Sequence, residues 1–167
     1  MLIDNCDLTK INMDSTYKNI NGVREYLNIR LKLYEELDRE DKVYQCLDKI
    51  IEYIEDLKDE FHFFMEIIIF IYKDLKNKLE YIDYLISSTN QFIGSLISVR
   101  YNILKNDIGY RITEKMKNQF HNHYLIYDQE PLKSQENFLY SYLDYLTIYG
   151  EDIELTRTIL EEVGKFE

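Results

Sequence analysis

From Ser15 onward the apolar positions recur every three or four residues, the period of an α-helix with one buried face. Val23, Leu27, Leu31 and Tyr34 make the first such face. The run Asp38-Arg39-Glu40-Asp41 breaks it as a tight interhelical turn, after which Val43, Leu47, Ile50, Ile54 and Leu57 resume the spacing. The far side of this second helix carries Asp48, Glu52, Glu55, Asp56 and Asp59, so the helix is strongly amphipathic. A third helix is predicted over about 59–75, in the segment EFHFFMEIIIFIYKD, where only a narrow strip of Asp59, His62, Glu66 and Lys73 is polar. A membrane span needs about 20 apolar residues, and the run from Phe61 to Tyr72 is shorter and interrupted. A helix apolar on most of its circumference is packed by neighbours on several sides, so this one is expected at the centre of the fold.

Beyond it, NKLEYIDYLIS reads as a shorter helix leading to Ser87-Ser88-Thr89-Asn90, small polar residues suited to cap the next helix. Helices are predicted at about 89–105 and 109–126. The stretch DQEPLKS at 128–134 holds the single proline and is the clearest loop. Gln135–Tyr149 and Ile153–Val163 then read as helices ended by Gly150 and Gly164, following the preference for glycine past a helix end. The expectation is an all-α fold, a compact multi-helix bundle of about seven helices around the central apolar one. Residues 1–14 lack a sustained period and read as a loose arm, and 15–167 as one helical domain.

Composition agrees with helices. The chain has 167 residues, 46% of them hydrophobic, enough for one sizeable core, and its five glycines and one proline supply little of the turn chemistry an all-β fold would need. The N-terminus, MLIDNCDLTKINMD, has neither the continuous apolar region of a secretory signal nor the basic character of a transit peptide, which points to the cytoplasm. Cys6 and Cys46 make no zinc spacing, and Cys46 sits on an apolar stripe, as a buried thiol would. The Asn, Lys, Ile and Tyr usage is of the kind that AT-rich coding sequences give, as in many viruses, mobile elements and low-GC bacteria.

A net charge of −11 weighs against direct nucleic-acid binding, which depends on Lys and Arg neutralising phosphates. It suits a basic protein partner instead. Carboxylates four apart on a helix recur every ~6 Å, near the spacing of successive phosphates in an extended strand. Asp41, Asp48, Glu52, Glu55, Asp56 and Asp59 are therefore candidates for docking on a basic surface, with Glu35, Glu36, Asp38 and Glu40 joining them at the turn. A second candidate surface comes from the sixteen tyrosines. Tyr142, Tyr145 and Tyr149 share a stripe with Phe138, and tyrosine supplies interface cores with apolar area and a polar tip. A partner or homodimer seam along 135–149 would use it.

Signals for chemistry are sparse. Asp59, His62 and Glu66 share one helical face, but the Glu-x-x-His pairs of di-metal bundles are absent, so no metal site and no cofactor are predicted. No nucleophile elbow, phosphate-binding glycine loop or zinc-protease motif occurs, and no catalytic residue is assigned. The segment KNQFHNHYLIYD, with Arg100, Lys105, Arg111, Lys115 and Lys117 before or within it, is locally basic. Arg111 followed by His121 resembles the Arg-then-His arrangement of helical ribonucleases of the HEPN class, with a spacer longer than that family's motif, so its catalytic residues are not carried over. The resemblance implies RNA binding or cleavage with His121 and His123 nearby, as an alternative reading. A third reading is a degenerate helical-repeat adaptor. LKLYEELDREDKVYQCLDKII and YLDYLTIYGEDIELTRTILEEV share a helix, an acidic turn and a second helix, though without the period of about 34 residues of tetratricopeptide arrays. The leading expectation is a non-enzymatic acidic protein-binding domain, an inhibitor or immunity or anti-defence protein that covers the basic surface of a partner such as a nucleic-acid-binding enzyme.

Overall fold

A computed structural model describes residues 29–34, 36–56, 75–89, 91–107, 113–150 and 152–166, and among them every regular element is helical. The elements are α1 (Glu40–Asp56), α2 (Leu75–Ser88), α3 (Ile93–Lys105), α4 (Glu114–Tyr124), a 3-10 turn (Tyr127–Gln129), α5 (Leu132–Tyr149) and α6 (Ile153–Gly164). The predicted arm at 1–14, the predicted central helix with Asp59, His62 and Glu66, and Arg111 lie outside the described residues. Contacts within the chain cluster into two compact units, Met1–Leu85 and Ile86–Glu167, with the boundary inside α2.

In the first unit, residues 29–34 are helical and end in the turn the sequence places there. Asp38 takes a left-handed backbone, φ 54°, and the Arg39 N–H donates 2.8 Å back to the Tyr34 carbonyl. This six-to-one bond around a left-handed residue is a Schellman closure, with aspartate where glycine is usual. Glu40 and Asp41 follow in the first turn of α1, where carboxylates complement the exposed N–H groups of the helix end. Leu31, Tyr34, Val43, Cys46 and Leu47 are buried, together with Tyr81, Ile82 and Leu85 of α2. Tyr44 meets the rings of Tyr81 and Tyr84 edge-on at 5.6 and 4.8 Å, an arrangement aromatic quadrupoles favour.

Burial pushes the Cys46 thiol up to about 12, and only the thiolate reacts readily. In a Cys6→Ser background, Cys46 should therefore resist a disulfide reagent at mildly alkaline pH until denaturant opens the fold. Rapid stoichiometric labelling of the native protein would place that sulfur at the surface.

The second unit is built on two parallel helices, α3 and α5. Successive contacts advance along both in the same direction: the Ser95 N–H donates 3.1 Å to Ser134 Oγ, the Ser98 and Ser141 hydroxyls meet at 2.5 Å, and the Tyr101 hydroxyl donates 2.6 Å to Asp144. Small residues let the two backbones come close. A Cβ built on Gly94 would stand 2.9 Å from Phe138 Cβ and 3.0 Å from the Ser134 carbonyl oxygen, so glycine here is a packing requirement. α4 returns antiparallel, with Met116 beside Arg100 and His123 beside Glu130, and α6 packs on α5 after the Gly150 corner.

Three helix ends differ in cause from the sequence expectation. α3 begins at Ile93, four residues after Thr89, and its preceding residue Phe92 supplies no side-chain cap. Gly150 ends α5 in an extended conformation, φ −81° and ψ 152°, and its absent side chain makes room for Leu146, whose carbonyl oxygen lies 2.7 Å from a built Cβ. Gly164 is the last residue of α6 and lies in open space. α4 and α6 do carry local caps, with Thr113 accepting from the Met116 N–H at 3.2 Å and Asp152 from the Leu155 N–H at 3.0 Å.

Candidate functional site

The acidic candidates divide by position. Asp41 is exposed at the start of α1 and accepts from Arg39 Nε at 3.4 Å, which holds its carboxyl below the usual range. Asp48 is exposed one turn after Tyr44 and accepts from the Tyr84 hydroxyl at 2.5 Å, so α2 holds it in place. Glu52, Glu55 and Asp56 lie on the α1 backbone with their side chains outside the described set, and Asp59 lies beyond it. At the amino end of α1 a cleft of about 330 Å³ opens in the first unit. Its floor is Tyr34, Val43 and Tyr81, and around it stand Asp38, Glu40 and Glu80 with Asn77 and Arg39.

The tyrosine stripe faces mostly inward. Tyr142 is fully buried and Tyr145 is 4% exposed, while Tyr149 at the end of α5 is 44% exposed. Phe120 from α4 inserts between them, stacking on Tyr142 at 5.1 Å and Tyr145 at 5.0 Å and meeting Tyr101 edge-on at 5.3 Å. The stripe is thus the aromatic core of the second unit, and of the three predicted partner-binding tyrosines only Tyr149 reaches the surface. Leu160 and Ile153 of α6 are exposed as well, giving the α5–α6 corner an apolar rim.

The locally basic segment is also turned to structural use. Arg100 is 4% exposed and its guanidinium donates 3.2 Å to Met116 Sδ. Lys105 pairs with Asp144 at 2.8 Å; burial pushes the Asp144 carboxyl up, and Lys105 and Tyr101 together hold it below the usual range. His121 Nδ1 bonds the Tyr142 hydroxyl, and burial, with Lys117 adding to it, lowers its pKa. Lys115 and Lys117 remain exposed on α4. No group of three or more His, Cys, Asp or Glu converges as a metal site would require, among the described residues.

His123 belongs to the most polar part of the interior. Its Nε2 lies 3.0 Å from Glu130 Oε1, and both side chains are buried. Glu130 also accepts from the Ile93 and Gly94 N–H groups, each at 2.8 Å, and from the Ser134 hydroxyl at 2.8 Å. A carboxylate from a remote loop therefore caps α3, supplying what the Ser87–Asn90 run was expected to supply. Paired small residues, Gly94, Ser95 and Ser98 against Ser134 and Ser141, were the sequence signal for this close contact.

No helix among the described residues is long and apolar enough to cross a membrane. Comparison with known protein families, with curated proteins and with solved structures finds no match.

Proposed function

We propose that the chain is a non-enzymatic binding protein that docks the acidic side of α1 on a basic surface of a partner protein and covers it. The observation that carries this reading is the cleft at the amino end of α1. Asp38, Glu40 and Glu80 line it against Arg39, so its polar lining suits the charged head of a lysine or arginine. Between residues 35 and 60 the sequence has eleven acidic and four basic residues, so the cleft sits in a field that attracts cations over a longer range. Such a field speeds encounter and is screened by salt. An inhibitor of a nucleic-acid-binding enzyme would use this arrangement by standing where phosphates stand.

The test compares the tagged protein with its Glu40→Lys/Glu80→Lys variant, both positions being exposed, in affinity capture from host extract at low and high salt. A basic protein retained by the unmodified chain at low salt, and lost at high salt and in the variant, is the expected result. With purified components the double reversal should weaken the complex at least a hundredfold, since each close charge pair in such interfaces is worth about 1.5 kcal/mol or more. Equal retention by a variant of unchanged helicity would overturn the reading.

A further inference from the structure

Independently of the acidic cleft, α6 in the second unit carries a stripe beside the face that packs on α5. Ile153, Arg157, Leu160 and Gly164 follow at intervals of four, three and four residues, the alternation that lays one helix along another. The face turned to the core is a different one, made by Ile159 and Val163, whereas Ile153 is 73% and Leu160 58% exposed. α5 does not close over the stripe. A groove of about 370 Å³ runs beside it, with Leu146, Thr147 and Gly150 on the far side.

Charge names the occupant. On one flank of the stripe stand Glu154, Arg157, Glu161 and Lys165, all exposed, a run of alternating sign that read backwards is its own complement. Arg157 meets Glu154 of its own helix at 3.5 Å with both side chains open to water, and a guanidinium with five N–H donors can take a second carboxylate. A two-fold contact requires that residue i face j and j face i. In two antiparallel α6 helices related by an axis level with residue 159, the same flank of each helix meets, so Arg157 faces Glu161 and Glu154 faces Lys165 of the second copy, each pair twice. In that register Leu160 lies about 3 Å along the helix from its own counterpart. Ile153 comes within one residue of Gly164 of the second copy, whose bare backbone stands in open space. Parallel pairing would set like charge against like. Because a chain of net charge −11 repels its own copy at long range, contact between copies needs a local match of this kind. We infer that the chain forms a two-fold dimer through antiparallel α6 helices, with Leu160 packed on Leu160 at the axis and Arg157 paired with Glu161 of the second copy.

The 12 residues of α6 make a seam about 18 Å long, smaller than the ~800 Å² per partner of a standard interface, so the dimer should form at micromolar concentrations. Sedimentation equilibrium of the full chain measures it. Arg157→Glu and Glu161→Arg should each weaken association by roughly tenfold or more, because the two-fold repeats every like-charge contact and such contacts are costly. Mixed in equal amounts, the two variants should associate again with most of the parent's affinity, since each meets its opposite charge in the other. Leu160→Asp should abolish association and leave the melting temperature unchanged where the parent is monomeric. Circular dichroism establishes that the variants are folded. A parent that stays monomeric up to millimolar concentration, single reversals that dimerise as the parent does, or a mixture that stays monomeric would overturn the inference. A large loss of stability in monomeric Leu160→Asp would place another segment of the chain over the stripe and overturn it equally.

Discussion

Replacing Glu130 by alanine should cost the second unit about 3–5 kcal/mol, the range for removing one partner from a buried charged network. The carboxylate accepts two backbone N–H groups at the start of α3, the Ser134 hydroxyl and His123 Nε2. Alanine leaves these groups in an interior where Glu130 itself is 8% exposed, and each unsatisfied donor carries its own desolvation cost. Glu130→Gln should lose less. Its carbonyl can stay on Gly94, Ser134 and His123, while its amide faces the Ile93 N–H, which is only partly buried. Urea denaturation gives the free energies, and hydrogen exchange at the Ile93 and Gly94 amides locates them. An alanine variant within about 1 kcal/mol of the parent, too small for a buried network, would mean that α3 is capped by something other than Glu130.

Phe120→Ala should be comparably severe, with a loss of about 3–5 kcal/mol from the transfer and cavity terms of a buried phenylalanine. Its ring is fully buried and touches Tyr101, Phe138, Tyr142 and Tyr145. The effect should extend beyond stability: with the stack opened, near-ultraviolet circular dichroism from the tyrosines should collapse while far-ultraviolet helicity persists below the melting point. Phe120→Leu refills part of the volume but cannot stack, so its deficit combines the lost ring–ring geometry with a smaller residual cavity and should fall below that of alanine. If Phe120→Ala melts where the parent does, the aromatic cluster is not the core of this unit.

Individual elements explain what the chain discloses before its structure is known. The turn at Asp38 and the burial of Leu31, Tyr34, Val43 and Leu47 are legible because period and turn chemistry are local properties. The stripe of Phe138, Tyr142 and Tyr145 is legible as a stripe. Its burial is not, because periodicity tells which residues share a face and is silent on what that face meets, here Phe120 from another helix. The cap of α3 is hidden for a stronger reason. Ser87, Ser88, Thr89 and Asn90 carry the local signature of an N-cap, whereas the group in place is 36 and 37 residues away from the N–H groups it receives. His123 was open to a chemical reading for the same reason, since only the fold puts its ring against Glu130. The candidate surfaces follow suit: the acids of α1 are readable one by one, but the cleft beside them needs Asn77 and Glu80 of α2 to exist.

The remote cap on α3 also sets an order of events during synthesis. Chains grow from the amino end, and domains generally fold as units as they emerge. When α3 has left the ribosome its first turn can offer its N–H groups only to water, and Gly94 faces no helix, because both Glu130 and the Ser134–Ser141 face of α5 are still to emerge. α4 arrives in the interval with Tyr101 of α3 at hand for Phe120, while its other ring partners, Phe138, Tyr142 and Tyr145, come later still. The second unit therefore passes through synthesis with Phe120 only partly covered until α5 is complete, an interval in which a nascent-chain chaperone would find its binding site and a truncated message would leave an aggregation-prone product.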